Sequence, residues 1–272
     1  MTPARRVVRS LMPEPLLELV RRWRGRGLRF NGSPSDWQAA CATSGGYSDA
    51  DIVDRVAAAT RAVVEGCAKF ERDSVLFPEH DYRYPVVSAL MHVAALNQGR
   101  LHVVDFGGAL GSTYWQYRYF LDGLDGVQWL VIEQPAFAAV GRREFTTDRL
   151  TFAESTVPGA SPPDLVLACG VLAYLESPLQ TLGELTALNA KHVLIDRTPL
   201  HNGPEDRLCI QRVPKEIYRA SYPCWLFSRA RFMAALASHW RVVSEFACDE
   251  GLCRTDDGLE FEFRGMYLER RA

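Results

Sequence analysis

The chain has 272 residues, of which 47% are hydrophobic and 24% are charged, and its formal net charge is -2. This is the composition of a globular protein with a large core, and a charge so close to zero argues against a nucleic-acid-binding surface. No apolar run approaches the roughly 20 residues needed to span a bilayer. The seven cysteines include no Cys-x-x-Cys pair, so we expect reduced thiols, no bound metal and a cytoplasmic location.

The first 30 residues form a basic segment. Its eight arginines against two glutamates give it a charge of +6. Four apolar residues recur at the spacing of one face of an amphipathic helix: Leu16, Leu19, Val20 and Trp23. Such a helix either packs on its own domain, which is the more common arrangement, or lies on an anionic membrane surface. The second alternative predicts peripheral contact with the inner face of the membrane, weakened by salt.

The sequence between the basic segment and the first predicted strand is mainly helical. After a loop with one short helical turn, apolar residues recur at helical spacing over Ile52–Cys67, and a second helix is predicted over Pro85–Asn97. Between these helices, the aromatic and acidic residues of Phe70–Tyr84 suit either a surface loop or the wall of a pocket. We therefore predict a helical N-terminal extension over residues 1–98, followed by one domain over residues 99–272.

The stretch Leu101–Ser112 predicts a strand, a tight loop and a helix. Its apolar first half is followed by Gly107, Gly108 and Gly111. Glycines can adopt φ angles forbidden to other residues, and they let a ligand lie against the backbone. Asp105 stands at the end of the strand, where its carboxylate would repel a phosphate group. An acid beside a glycine loop suits a ligand with ammonium and hydroxyl groups, and S-adenosylmethionine is such a ligand.

Further strands alternate with helices along the chain. The second strand, Val127–Glu133, ends in an acid 28 positions beyond Asp105, where a carboxylate can accept hydrogen bonds from ribose hydroxyls. Three more strands are predicted, at Leu150–Ala153, Pro163–Cys169 and His192–Asp196. This alternation specifies a parallel sheet that is covered on both faces.

The C-terminal part of the chain breaks the alternation. Strand patterns at Arg241–Phe246 and Glu260–Leu268 are joined by a connection too short for a crossover helix, so they must pair antiparallel. The predicted fold class is α/β. We expect a Rossmann-like, mostly parallel sheet of seven strands that ends in an antiparallel C-terminal hairpin.

This combination resembles the class I S-adenosylmethionine-dependent methyltransferases, whose first motif is Asp/Glu-x-Gly-x-Gly-x-Gly. The match runs through Asp105, Gly107 and Gly111 and departs at Ala109, where the middle glycine is missing. The resemblance implies S-adenosylmethionine as the cofactor, with Asp105 near its methionine end and Glu133 on its ribose. It assigns further cofactor contacts to Gly108, Gln134, Ser155, Cys169 and Gly170.

A closer resemblance covers nearly the whole chain after the basic segment. Its phrases include Ser44-Gly-Gly-Tyr47, Glu71-Arg-Asp73, Val131-Ile-Glu-Gln-Pro135 and Ser221-Tyr-Pro223. They look like a bacterial methyltransferase family often encoded near surface-polysaccharide genes. That family implies the fold and the cofactor, and it supplies neither an acceptor nor a catalytic residue.

The candidate acceptor site is the segment after the fifth predicted strand. From Arg197 to Trp225 the sequence predicts an unusually long loop, and such loops in compact domains are usually functional or disordered. Its polar and aromatic residues suit a sugar-like or otherwise polar acceptor, and we assign acceptor binding to Arg197, Arg207, Tyr218 and Tyr222. His201 is the first candidate for the catalytic base, because imidazole titrates near neutral pH, and Asp196 and Tyr174 rank behind it. The alternative for His201 is an exposed turn residue.

These observations predict methyl transfer to oxygen or nitrogen of a polar small-molecule or glycan-type acceptor. Two other classes remain open. The chain could be a nicotinamide-dependent oxidoreductase, although such a fold normally continues with parallel units. It could also be a degenerate cofactor fold that serves as a scaffold or partner-binding module. Oligomeric state cannot be read from the sequence.

Overall fold

The computed structural model describes residues 29–45, 50–155, 161–213 and 220–271. The amphipathic helix predicted in the basic segment and the acceptor residue Tyr218 lie outside these ranges. Among the described helices, none is long and apolar enough to cross a membrane.

The described chain begins with elements that precede the parallel strands. They are β1 (Arg29–Asn31), α1 (Trp37–Ala42), α2 (Ala50–Val64), β2 (Phe70–Arg72), β3 (Val75–Phe77) and α3 (Tyr84–Leu96). The predicted helices are present as α2 and α3. Strands β2 and β3 form a hairpin whose turn residues Asp73 and Ser74 have φ angles of 50° and 65°, the conformation of a type I′ turn. The boundary at residue 98 remains a prediction.

Five parallel strands form the centre of the molecule. They are β4 (Arg100–Phe106), β5 (Gly126–Ile132), β6 (Leu150–Ala153), β7 (Leu165–Cys169) and β8 (His192–His201), and the helices between them are α4 (Ser112–Leu121), α5 (Pro135–Glu144) and α6 (Pro178–Ala187). Their order in the sheet is β6-β5-β4-β7-β8, so the winding direction reverses between β4 and β7. A reversal of this kind opens a crevice at the carboxyl ends of the strands.

Alternate residues of these strands enter two hydrophobic cores, one on each face of the sheet. On one face Val103 and Val131 belong to a core shared with α3, α4 and α5. On the other face Val104 and Ile132 belong to a core that includes Leu182 of α6. The strands therefore read as continuous apolar runs, as expected when both faces of a parallel sheet are covered.

The prediction of a long loop from Arg197 to Trp225 is wrong. Strand β8 continues through His201, and β9 (Arg207–Arg212) and β10 (Ser221–Ser228) follow it as an antiparallel pair. β10 rejoins β8 through the pair Phe227 and Leu200, and β1 adds to the outer edge of β9. Most residues of β9 are buried, so the alternation that marks a strand with one face in water is absent here.

The C-terminal hairpin is confirmed. After α7 (Arg229–Ala237), strands β11 (Trp240–Arg254) and β12 (Glu260–Arg270) pair antiparallel, and β12 pairs antiparallel with β8. Both strands are longer than predicted, because β11 continues through the expected polar connection. The α/β, Rossmann-like class with its mostly parallel centre is confirmed, but the main sheet has ten strands in the described residues instead of seven.

Candidate cofactor and acceptor site

A cavity of about 1100 Å³ lies at the carboxyl ends of the parallel strands. Its floor is the ends of β4, β5, β7 and β8, and its other walls come from α1, the β2–β3 hairpin and the β9–β10 pair. Ligand sites of proteins usually occupy roughly 300–1,000 Å³. The cavity is therefore large enough for a nucleoside-sized cofactor together with a small second ligand.

The glycine loop forms the floor of this cavity by close packing of its backbone. Gly107 has φ 71°, and a Cβ added there would lie 2.4 Å from Cγ2 of Val171. A Cβ added to Gly108 would lie 2.4 Å from Oδ2 of Asp105. Both glycines line the cavity, whereas Gly111 precedes α4 away from it. Larger residues at Gly107 or Gly108 would displace the loop.

Asp105 lies beneath the loop and outside the cavity lining. Its side chain is fully buried, and Trp129 Nε1 donates a hydrogen bond of 3.0 Å to Oδ2. Oδ1 has no hydrogen-bond partner among the described residues. Burial raises the pKa of Asp105 to about 7. The Asp105 carboxyl group therefore packs beneath the glycine loop, against Gly108.

The raised pKa of Asp105 predicts a pH-dependent stability. Because the folded protein favours the protonated carboxyl group, the stabilisation it contributes is present below pH 4 and is lost as the pH rises toward about 7. Asp105→Asn keeps the oxygen that accepts from Trp129 and removes the titration. We compare the melting temperature of the variant minus that of wild type at two pH values. This difference should be at least about 3 °C higher at pH 8 than at pH 5.

The exposed Asp148 provides the control for that measurement. Asp148→Asn should change the melting temperature by the same small amount at both pH values. A relative melting temperature of Asp105→Asn that does not change with pH would show that Asp105 is ionised throughout.

Glu133 stands at the end of β5 and faces the cavity. Its Oε1 accepts from the backbone N–H of Ala109 at 3.1 Å, and its Oε2 accepts from the backbone N–H of Gln134 at 2.8 Å. Burial raises its pKa. Each carboxylate oxygen has two lone pairs, so each can accept one further hydrogen bond from a ligand. Glu133 thereby joins the glycine loop to the strand beside it.

Of the remaining predicted cofactor residues, some line the cavity and one does not. Gln134, Cys169 and Gly170 line the cavity, and Ser155 does not, although the preceding Glu154 does. Burial raises the pKa of the Cys169 thiol to about 12, so it is neutral near pH 7. The structure therefore brings together the ends of three neighbouring strands, β5, β4 and β7, with Gly170 on the side toward β8.

Two of the three candidate catalytic residues line the cavity, but neither is arranged as a free base. The Tyr174 hydroxyl donates to Oε1 of Gln211 at 2.9 Å, and burial raises its pKa well above the ordinary value. The Asp196 carboxylate forms a 2.7 Å ion pair with Arg83, and both side chains are buried. Tyr174 is thus a neutral donor, and Asp196 is held by a cation.

His201, the first candidate for the base, lies away from the cavity as part of β8. Its Nδ1 accepts from the backbone N–H of Gly203 at 3.0 Å, so its Nε2 donates to the carbonyl of Leu226 at 3.2 Å. The ring is buried and borders a second, smaller cavity. Neither the catalytic position nor the exposed turn was the right expectation, because β8 runs five residues beyond its predicted end.

Some of the predicted acceptor residues line the cavity and others do not. Arg197 and Tyr222 line the cavity, and the Tyr222 ring packs edge-on against Tyr174 with centroids 5.3 Å apart. Arg207 points elsewhere, donating to Asp257 at 2.5 Å and to Ser33 at 3.0 Å.

Several cavity residues were not singled out by the sequence. They are Trp37, Glu71, Asp73, Arg83 and Glu250. Glu71 accepts hydrogen bonds from Ser112 at the start of α4 and from the backbone of Ser74, and burial raises its pKa. The polar and aromatic mixture of Phe70–Tyr84 was the available signal for Glu71 and Asp73. No group of three or more metal-ligating side chains occurs in the described ranges.

No protein-family model and no curated protein matches the chain. Among solved structures, the N-terminal domain of EvdMO1, crystallised with S-adenosylhomocysteine and D-fucose, is 17% identical over 82% of this chain and 99% of that one, with a TM-score of 0.48. The 1,6-didemethyltoxoflavin-N1-methyltransferase of Burkholderia thailandensis is 18% identical over 84% and 91%, with a TM-score of 0.39. The N-methyltransferase NodS of Bradyrhizobium japonicum is 12% identical over 79% and 99%, with a TM-score of 0.44. Residue roles in this chain rest on the geometry of its cavity.

Proposed function

We propose that the protein is an S-adenosylmethionine-dependent methyltransferase that acts on oxygen or nitrogen of a polar small-molecule or glycan-type acceptor. The observation that carries the proposal is Glu133. Its carboxylate faces the cavity beside the backbone of Gly107 and Gly108, and both of its oxygens retain the capacity to accept a hydrogen bond. A pair of ribose hydroxyls is the cofactor group that this arrangement suits.

The neighbouring residues fit the rest of the cofactor. Gln134 and Glu154 border the part of the cavity beyond Glu133, where the adenine ring of the cofactor would lie. Gly107 and Gly170 line the part of the cavity that the methionine end would occupy, and the Glu71 carboxyl group offers an acceptor for its ammonium group. When bound, the cofactor supplies an electrophilic methyl group on a sulfonium. The protein's part is to hold an acceptor atom in line with that methyl carbon.

The charges near the loop disfavour the oxidoreductase alternative. A nicotinamide dinucleotide carries a diphosphate, which must lie against loop amides that are free of negative charge. Here the Glu71 carboxyl group borders the loop, and the loop departs from the Gly-x-Gly-x-x-Gly form.

The acceptor is expected on the β8 side of the cavity. Arg197, Tyr174 and Tyr222 border it there with Gln211, and these groups can hydrogen-bond to and stack on a polar acceptor. Tyr174 serves in this proposal as an acceptor-binding hydrogen-bond donor.

Calorimetry with three ligands tests the cofactor. We expect one-to-one binding of S-adenosylmethionine and S-adenosylhomocysteine with dissociation constants on the order of micromolar, and no binding of NAD. The methyltransferase proposal fails if NAD binds in place of these ligands, or if none of the three binds to protein whose circular dichroism shows it folded.

A further inference from the structure

A β-bulge in β8 turns two consecutive side chains into the cavity. The β8–β12 ladder shifts register at Gly265, so Asp196 and Arg197 together stand opposite this one residue. Successive side chains of a regular strand point to opposite faces, but here both line the cavity. Arg197 has φ 50°, a left-handed conformation that costs free energy in a non-glycine residue. Bulges of this kind re-aim side chains next to active sites.

A second bulge, in β11, brings a carboxylate to the same corner. The β11–β12 ladder shifts register between Ala247 and Leu252, and Gly251 between them has φ 66°. Within this bulge Glu250 lines the cavity, whereas the adjacent Asp249 is exposed. Two separate irregularities of the sheet thus deliver Arg197 and Glu250 to one place.

Each of these two side chains has a buried polar atom without a partner. Among the described residues, neither Nε of Arg197 nor Oε2 of Glu250 has a hydrogen-bond partner. An unsatisfied buried polar atom costs about 1–3 kcal/mol, so native proteins seldom retain one without a reason. The two atoms have opposite requirements, since Nε–H needs an acceptor and Oε2 needs a donor.

An ionic ligand of either sign meets a repelling group at this corner. The Arg197 guanidinium repels an ammonium group. Asp73, whose carboxylate lies 3.8 Å from Arg197 Nη1, and Glu250 repel an anion. Burial acts to lower the pKa of Arg197, but the negative groups around it, including Asp73 and Glu250, raise it well above its ordinary value. A neutral ligand with both a donor and an acceptor satisfies the corner without these repulsions.

The corner is far enough from Glu133 to remain open when the cofactor is bound. In the order β5-β4-β7-β8, Glu133 follows the first of these strands and Arg197 belongs to the last. Three strand spacings of about 4.8 Å give a separation of roughly 14 Å along the sheet. An acceptor at Arg197 and Glu250 would therefore lie beside the cofactor, past Gly170.

We propose that this corner binds a neutral, hydroxyl-bearing acceptor and that Glu250 is the general base for O-methylation. The inference rests on the methyltransferase function proposed above. The Arg197 guanidinium donates to an oxygen of the acceptor, and the Glu250 carboxylate accepts from the hydroxyl to be methylated. As that oxygen bonds to the methyl carbon, its proton passes to Glu250, the carbon–sulfur bond breaks, and sulfur keeps the electron pair. Glu250 then releases the proton to water.

Matched acceptor series test the substrate class. Protein and S-[methyl-³H]adenosylmethionine are incubated with D-glucose, D-glucosamine and D-glucuronate, and with catechol, aniline and benzoate. We expect labelled product from D-glucose and catechol. Methylation at the amine or carboxylate groups of the other compounds should be at least tenfold lower. Label confined to amines or carboxylates, or absent from every compound with protein that binds S-adenosylhomocysteine, overturns the inference. Protein that fails to bind S-adenosylhomocysteine instead refutes the proposed function.

Isosteric variants test the role of Glu250 on the best acceptor of the panel. Glu250→Gln should lower kcat about 100-fold or more, as loss of a general base does. Arg197→Lys, which loses the planar donor geometry, should raise KM about tenfold or more. Both variants should bind S-adenosylhomocysteine within about threefold of wild type, a check that they fold.

Asp249→Asn is the matched control, since it changes the neighbouring, exposed carboxylate of the same bulge. It should leave kcat and KM within twofold of wild type. The assignment of Glu250 is overturned if Glu250→Gln keeps more than a third of the wild-type kcat, or if Asp249→Asn loses as much activity.

Discussion

Glu133→Ala is expected to weaken binding of S-adenosylhomocysteine about 100-fold. Hydrogen bonds to a charged group contribute about 1.5–3 kcal/mol each, and 100-fold in affinity corresponds to about 2.7 kcal/mol. The loss combines two effects. The ribose hydroxyls lose their acceptor, and the backbone amides of Ala109 and Gln134 lose the carboxylate that holds the loop in place. Calorimetry at pH 7.5 measures the change.

Two further variants separate charge from hydrogen bonding at Glu133. Glu133→Gln keeps one acceptor oxygen and should weaken binding about tenfold. Glu184→Gln, on the exposed face of α6, should have no effect. Because burial raises the pKa of Glu133, the wild-type affinity should decline on acidification from a pH above the ordinary glutamate range, and Glu133→Gln should not follow this decline. An affinity of Glu133→Ala within threefold of wild type would remove Glu133 from the site.

The centre of the fold and the cofactor side of the cavity could be predicted because their signals are local. The β4 run, the glycines after it and the acid at the end of β5 are each encoded within a few neighbouring residues. Parallel strands then bring their carboxyl ends to one edge without further information. That is why Gly107, Gly108, Glu133 and Gly170 were all assigned to one site, and why all four line one cavity.

The acceptor side could be predicted only in part: Arg197 and Tyr222 line the cavity as assigned, but the geometry around them depends on contacts distant in sequence. The segment from Arg207 to Ser228 becomes two strands only by pairing with β1 and with the end of β8. Its polar residues were taken as a loop, since turn-forming residues separate its short apolar runs. Glu250 faces the cavity only because β11 bulges against β12. A bulge has no local signature beyond Gly251.

His201 was also misplaced for lack of information on strand pairing. The prediction relied on a chemical property, an imidazole that titrates near neutral pH. Its position was assumed from the presumed end of the strand. Once β8 extends through it, the ring satisfies both of its nitrogens with backbone groups of Gly203 and Leu226. The side chain then stabilises the junction of β8 and β10.

Arg83→Met and Asp196→Leu should each destabilise the protein by about 3–5 kcal/mol. The pair joins the start of α3 to β8, and the two side chains are only 7% and 2% exposed. Removing either partner leaves a buried charge without compensation, which is the costly case for a buried ion pair. Arg83 also donates to Cys248 Sγ at 3.1 Å, so its loss should lie at the upper end of the range. Urea unfolding followed by circular dichroism gives the free energies.

The double variant Arg83→Met with Asp196→Leu distinguishes an ion pair from two independent contributions. Because replacement of both partners by apolar groups is often close to neutral, we expect it to be more stable than either single variant. The exposed pair Arg118 and Asp122, with atoms 3.3 Å apart, provides the control, since Arg118→Met should cost less than about 1 kcal/mol. Additive losses in the double variant would contradict the coupling. If the double variant also binds S-adenosylhomocysteine like wild type, the cofactor side of the cavity does not require the charge of Asp196.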